Sequence, residues 1–219
     1  MAATGYILKD GIPGVFEARQ NRSVKNRDGF IRAGIEALNT KSFDELKISD
    51  LAAASGNSVG SFYTRFQDKD AYFRALRVYS LDAIEREIEA DFTQIALRSM
   101  SSGEALDSLV DLLGAIFSSR FRGVLRESYP RILDADDPWA PMRTQAQKVL
   151  KTLHDGLEDA FPDYSVAETK TRLSFCFQMI TGALQNDLVN NYHVFTLKDG
   201  TILEGLKEAL RAYMGVPRS

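Results

Sequence analysis

The sequence predicts an all-α fold in two parts. Three observations point that way. Apolar residues recur at helical spacing through almost the whole chain, with no run of alternating β-branched residues. Glycine (15) and proline (6) are sparse in 219 residues and fall mainly between the periodic segments. The charge is split along the chain. Residues 1–80 carry 12 Lys+Arg against 9 Asp+Glu, a balance of +3, whereas the rest carries 15 against 21, a balance of −6. A basic front on an acidic back suggests two jobs in one chain, and a whole-chain charge of −3 does not veto nucleic-acid binding, because electrostatic footprints are local.

The elements follow in order. Residues 1–22, with three glycines and a proline in the first 20, read as a flexible arm. The first helix is expected from Ser23 to Leu38, with Phe30, Ile31, Ala33, Gly34, Ile35 and Leu38 on its apolar face. Gly34 costs up to about 1 kcal/mol against alanine there, which close approach of another helix would justify. A short helix over 48–55 stops at Gly56, a residue suited to a left-handed C-terminal position. A third is expected over 58–66, and a long one from Lys69 to about Thr93. Residues 104–126 form one amphipathic stretch with a possible division near Arg120. Turns fall at Tyr129-Pro130 and at Asp136-Asp137-Pro138, since a residue before proline disfavours the helical region. Residues 145–160, 166–189 and 201–214 complete about nine helices and no sheet.

Several function classes are excluded. One cysteine, Cys176, forbids an intrachain disulfide and a thiolate zinc site. Residues 1–20 lack a basic start followed by an apolar core, and no run nears the ~18 apolar residues of a membrane span, so a cytoplasmic protein without a membrane partner is expected. Gly56-Asn57-Ser58-Val59-Gly60 fits the G-x-S-x-G of serine hydrolases, but that motif needs a preceding strand and Leu51-Ala52-Ala53-Ala54 precedes it here. Lys151 and Asn190 stand where a di-iron helix bundle needs glutamates before His154 and His193. No phosphate-binding Gly-Lys loop occurs. The expectation is no enzyme, no catalytic residue, no metal and no cofactor.

Residues 48–66, ISDLAAASGNSVGSFYTRF, read as a helix-turn-helix. Its second helix must offer a small or polar face to a DNA major groove and lock its other face onto its neighbours. Phe62 and Phe66, four apart, are the natural anchors. Ala52 and Ala54 permit close packing, and Ser58 is the natural N-cap, with a hydroxyl that can also meet a phosphate. Val59, Ser61, Tyr63, Thr64 and Arg65 remain for DNA. The stretch resembles the TetR family of transcriptional regulators. The resemblance rests on Ser58, Gly60, Ser61, Phe62, Tyr63, Arg65, Phe66, Lys69 and Asp70, on Ile48, Asp50, Leu51, Ala52 and Gly56, and on Ala33, Leu38 and Phe43. It covers about residues 24–75. Departures are Asn57 where a small apolar residue is usual, Val59 at an often polar position, and Lys47 at a common Ser/Thr cap. Val59 can meet a thymine methyl, and Lys47 adds charge near the DNA backbone.

The resemblance implies roles. Tyr63 and Lys69, with Arg65, would contact phosphates. Ser58, Val59, Ser61 and Thr64 would face the groove, and Lys25, with Arg22 and Arg27 nearby, would clamp the backbone. It implies a helix-turn-helix domain over 23–68 and a helical ligand-binding and dimerisation domain over 69–219. The activity implied is that of a repressor, a homodimer on a palindromic double-stranded operator, released by a small-molecule effector. The helix over 166–189 has two apolar stripes, one of Leu173, Phe177, Ile180 and Leu184, the other of Phe175, Met179, Gly182 and Asn186. The first stripe, with Leu203, Leu206, Leu210 and Tyr213 of the last helix, is the expected dimer interface, a four-helix arrangement about a two-fold axis. Phe117, Phe121, Trp139, His154, Phe175 and Met179 are the effector-pocket candidates, each also readable as ordinary core. The competing reading is a helical sensor or interaction protein of the same shape that binds no specific operator.

Overall fold

The computed structural model describes residues 11–18, 20–94, 100–129, 140–190 and 194–217. Among them are nine α-helices and no strand: α1 (Asn21–Leu38), α2 (Ile48–Ser55), α3 (Val59–Tyr63), α4 (Lys69–Gln94), α5 (Ser102–Ser118), α6 (Arg122–Ser128), α7 (Ala140–Leu157), α8 (Val166–Asn190) and α9 (Thr201–Tyr213), with a 3₁₀ turn over Glu158–Ala160. They form two compact units, one of residues 1–83 and 120–135, the other of 84–119 and 136–219. The α4 helix contributes residues to both.

The core of the first unit is aromatic. Phe30, Phe62, Phe66 and Tyr72 are wholly buried and meet mostly edge to face, with ring centroids 5.0–6.3 Å apart, the geometry that ring quadrupoles favour. The Tyr72 hydroxyl donates to the Phe30 carbonyl at 2.7 Å, and burial pushes its pKa far above the usual phenol value. A Cβ on Gly34 would overlap that hydroxyl, so close approach of another helix is the reason for this glycine. Asp68 caps α4, its Oδ1 accepting from Ala71 N–H at 2.7 Å.

A segment from much later in the chain closes this unit. The α6 helix packs on the C-terminal end of α1, where helix carbonyls lack intrahelical donors. The Arg126 guanidinium supplies donors to Leu38 O and Lys41 O, both at 2.9 Å. Asn39 Nδ2 donates to Arg120 O at 2.9 Å, and its Oδ1 accepts from Gly123 N–H at 3.0 Å. Glu127, buried, accepts from Phe43 N–H at 3.1 Å. The expected stretch 104–126 is therefore two helices. The chain turns extended at Ser119 (ψ 177°), with no proline or glycine at the break, so that α6 can join the first unit.

Residues 11–18 correct the expectation of a flexible arm: backbone hydrogen bonds fix them to the end of α3. Val15 pairs antiparallel with Phe66, Phe16 N–H donates to Arg65 O at 2.9 Å, and Gln67 N–H donates to Gly14 O at 2.8 Å. The same bonds explain why α3 ends at Tyr63 rather than reaching Phe66. Arg65 O and Gln67 N–H face the arm, while the Arg65 and Phe66 N–H groups bond Phe62 O.

In the second unit α5 begins with a capping box. Ser101 accepts from Glu104 N–H, and the Glu104 carboxylate, its pKa lowered by these Ser101 hydrogen bonds, accepts from Ser101 N–H at 2.8 Å. The α5 and α9 helices lie close. A Cβ on Gly114 would stand 2.7 Å from Leu203 Cδ2. Two ion pairs one turn apart join them: Arg211 to both oxygens of Asp107 at 3.1 and 2.7 Å, and Lys207 to Asp111 at 2.8 Å. The start of α9 is tied by Asp199, whose Oδ1 accepts from the Thr201 hydroxyl at 2.7 Å and from its N–H at 3.0 Å. These bonds hold the Asp199 carboxyl down at about 2, from an ordinary 3.8. A depressed carboxyl contributes stability above its unfolded pKa and loses it as pH falls through the folded value. An NMR titration of the side chain should therefore show a midpoint near 2, moving back toward 3.8 in Thr201→Ala. A wild-type midpoint near 3.8 would contradict the capping geometry.

Candidate nucleic-acid interface

The turn between α2 and α3 is built by Gly56 in the left-handed region (φ +67°). Asn57 N–H returns to Ala52 O at 2.9 Å and Gly56 N–H to Ala53 O at 3.1 Å, a Schellman pair that ends α2. Asn57 serves this turn rather than the next helix: its Nδ2 donates to Ser55 O and Ser55 Oγ. Ser58 caps α3, its Oγ accepting from Ser61 N–H at 3.1 Å and lying 3.0 Å from Ser61 Oγ. Ser58 thus stands between two helices, not after a strand as a hydrolase nucleophile would.

Phe62 is the inward anchor of α3 at 0% exposure, and Phe66 anchors the turn beyond it. The outward face carries Val59 (42% exposed), Gly60, Tyr63 (51% exposed) and Thr64, whose hydroxyl donates to Ser61 O at 2.8 Å. The Tyr63 ring meets Phe62 edge to face at 5.4 Å between centroids and still keeps half its surface exposed, one helical turn from the exposed Val59. Lys47, the N-terminal flank of α2 without a side-chain cap bond, is exposed, as are Lys25 and Arg22 on α1. Arg27 is buried beside Asp28 at 3.1 Å.

Two expected phosphate contacts are engaged within the chain. Lys69 Nζ donates to Asp44 O at 3.2 Å and sits 4.6 Å over the Phe43 ring, pinning the 40–47 loop; an ammonium has three donors, so this leaves it able to bind an anion as well. Arg65 bridges Glu17 O (3.3 Å) and Ser23 Oγ (2.8 Å). No sequence signal marked the arm, apart from Gly11 and Gly14, both at positive φ.

The described effector-pocket candidates are spread over both units, and only Phe175 and Met179 share a face. Phe121 is wholly buried and lies in the first unit. Phe117 is buried on α5 of the second. Trp139 lies outside the described residues. His154, half-buried, has Nε2 3.1 Å from both Lys170 O and Ser174 Oγ, contacts that join α7 to α8. Phe175 is 45% exposed and packs on Tyr213 at 5.0 Å between ring centroids. Met179, one turn on, is half-buried on the same face. An open groove of about 590 Å³ between the end of α8 and α9 is lined by other residues, among them Ala183, Asn186, Val194, Phe195 and Leu206.

The expected dimer residues are mostly core of the single chain. Leu173, Ile180, Leu184 and Leu210 are at 0% exposure and Leu206 is buried, so none has surface left for a partner. Phe177, Leu203 and Tyr213 are half-buried. The other stripe of α8 is the open one: Phe175, Met179, Gly182, Asn186 and Val189, with Val189 43% exposed and nothing within 4 Å of a Cβ on Gly182. Val194 and Phe195 beyond it are 78% and 56% exposed. Among the described residues no cluster of His, Cys, Asp and Glu is placed to hold a metal ion, and no helix is long and apolar enough to cross a membrane.

The first unit thus presents a helix-turn-helix with an exposed outward face, and the second unit is all-helical. Residues 30–76 match the family model described as bacterial regulatory proteins, tetR family. Solved structures share the fold over most of the chain. A protein described as a TetR-family transcriptional regulator, from Mesorhizobium loti MAFF303099, aligns at TM-score 0.72 and 14% identity over 90% of this chain and 98% of its own. A TetR transcriptional regulator from Rhodococcus sp. RHA1 aligns at 0.52 and 15%, over 91% and 100%. The transcriptional regulator FadR from Bacillus subtilis, in complex with stearoyl-CoA, aligns at 0.52 and 14%, over 84% and 96%. No sequence among the curated proteins matches. Residues 30–76 thus carry the helix-turn-helix signature of the tetR family, and the chain as a whole shares the fold of these solved structures.

Proposed function

We propose that this protein is a TetR-family transcriptional repressor that binds a palindromic operator as a homodimer and is released by a small molecule. The observation that carries the reading is the outward face of α3. Phe62 pins the helix from beneath, and Val59, Tyr63 and Thr64 stand exposed on the other side. Val59, with Ser58, Ser61 and Thr64, is assigned to the base edges. Tyr63, Lys69, Lys47 and Lys25 are assigned to phosphates, the contacts that set register rather than sequence.

The dimer is proposed on the open stripe of α8 from Phe175 to Val189, with Phe195. Its apolar residues are costly to leave in water, and Gly182 gives room for a second helix. A two-fold dimer sets two α3 helices roughly 34 Å apart, one turn of DNA. The effector is proposed to act in the second unit, where Phe117 and His154 remain candidates, by binding one spacing of the two heads better than another. FadR, which shares the fold, is in complex with stearoyl-CoA, an example of a small molecule held by a protein of this shape. In this reading the protein acts in the cytoplasm, as a binding protein and not as an enzyme.

A gel shift on the DNA upstream of its own coding region tests this. Selective binding is expected, with a mass near twice the chain in solution and a loss of affinity in Tyr63→Ala. Equal affinity for all DNA, or none at low salt, sinks the repressor reading and favours an interaction protein of the same fold.

A further inference from the structure

The α3 helix has five residues, too few to hold its own geometry, since a helix this short has barely passed its unfavourable nucleus. The Ser58 cap fixes its start. Its end is fixed from outside. The arm residues Pro13–Glu17 run antiparallel to Arg65–Gln67, with backbone bonds from Phe16 N–H to Arg65 O and from Gln67 N–H to Gly14 O. Arg74 Nε, on the second turn of α4, donates to Pro13 O at 3.2 Å. The Arg65 guanidinium clasps the other end of the arm through Glu17 O and reaches Ser23 Oγ at the start of α1. Gly14, at φ +76°, lets the arm lie flat, because a Cβ there would stand 2.8 Å from Ala71 Cβ.

We propose that Arg65 is a positioning residue, and that it and the Pro13–Glu17 strap set the angle at which α3 is presented to DNA. This rests on the DNA-binding reading and changes one part of it. Two of the five guanidinium donors are spent on a carbonyl and a hydroxyl from two segments, which holds the group against the arm and the start of α1. The planar fork suits this task, since its two nitrogens each meet one acceptor, whereas a lysine has one nitrogen for both.

Salt titrations of operator binding separate the two roles. Removing one phosphate contact lowers the slope of log affinity against log salt by about 0.9. For Arg65→Ala we expect affinity to fall at least tenfold with the slope unchanged. Arg65→Lys should fall as far, although it keeps the charge a phosphate would need. Gly14→Val, uncharged and distant from the outward face, should fall in the same direction. A reduced slope in Arg65→Ala, or near-native binding by Arg65→Lys, overturns the proposal.

Hydrogen exchange without DNA gives an independent reading. The Phe16 and Gln67 amides should be protected in the native chain and exchange at least tenfold faster in Arg65→Ala and Arg65→Lys, together with the amides of 61–66. Unchanged exchange there removes the strap, whatever the DNA result. If the native chain binds no operator but the exchange result holds, the strap stands and the repressor reading fails.

Discussion

Phe62→Ala is expected to destabilise the first unit by about 3–5 kcal/mol, the usual cost of truncating a fully buried phenylalanine. The ring meets Phe30, Phe66 and Tyr72 at 5.1–5.4 Å and has no exposed surface, so the deletion leaves a cavity walled by three aromatic rings that cannot all collapse into it. The loss is a large part of the 5–15 kcal/mol that holds a typical domain. The measurement is native-state hydrogen exchange at the slowest amides of α1, because a chain of two units need not unfold in one step. The neighbouring Tyr63→Ala should stay within about 0.5 kcal/mol of native by the same measure, while weakening DNA binding. That contrast separates a residue that builds the head from one that works on its surface. Equal losses for the two would mean that the inward and outward faces of α3 have been confused.

Gly123→Val should cost about 3 kcal/mol, at the upper end of overpacking effects. Any Cβ there would run into the Leu38 carbonyl at the end of α1. A backbone group of a helix end cannot swing aside like a side-chain tip, so α6 must move. Moving it strains the Arg126 bonds to Leu38 O and Lys41 O and the Glu127 bond to Phe43 N–H. Protection of the 38–43 amides should fall first, and denaturant titration should report a less stable first unit with the α5–α9 amides of the second unit unaffected. Native stability in Gly123→Val would show that α6 does not seat on α1 as closely as the structure has it.

Local rules carried the sequence reading where the cause was local. The α2 helix ends at Gly56 because a left-handed residue is needed there, and the Ser58 cap follows from its side chain. The anchors Phe62 and Phe66 follow from a spacing of four. The reading ran out where the partner is distant in sequence. The arm is held by main-chain bonds to residues about 50 positions away, and main-chain bonds leave no side-chain pattern. The sequence reading allowed a division near Arg120, and the break between α5 and α6 falls there, but with no proline or glycine to mark it the sequence left open whether the helix continues. On α8 periodicity revealed two apolar stripes, but it cannot say which one the chain itself covers. Leu173, Ile180 and Leu184 turned out to be the covered set and Phe175, Met179 and Gly182 the open one. The same limit applied to Arg65: its side chain suits a phosphate or a carbonyl equally well, and only the folded arm decides.

The discontinuity of the first unit has a consequence for synthesis. A ribosome that has released the helix-turn-helix residues has not yet made Arg126 and Glu127, so the C-terminal carbonyls of α1 wait unsealed while α5 is translated. Final closure of the first unit therefore belongs late in biogenesis, as a long-range event that adds to the chain's contact order. A fragment cut after residue 83 would remain indefinitely at that unfinished stage.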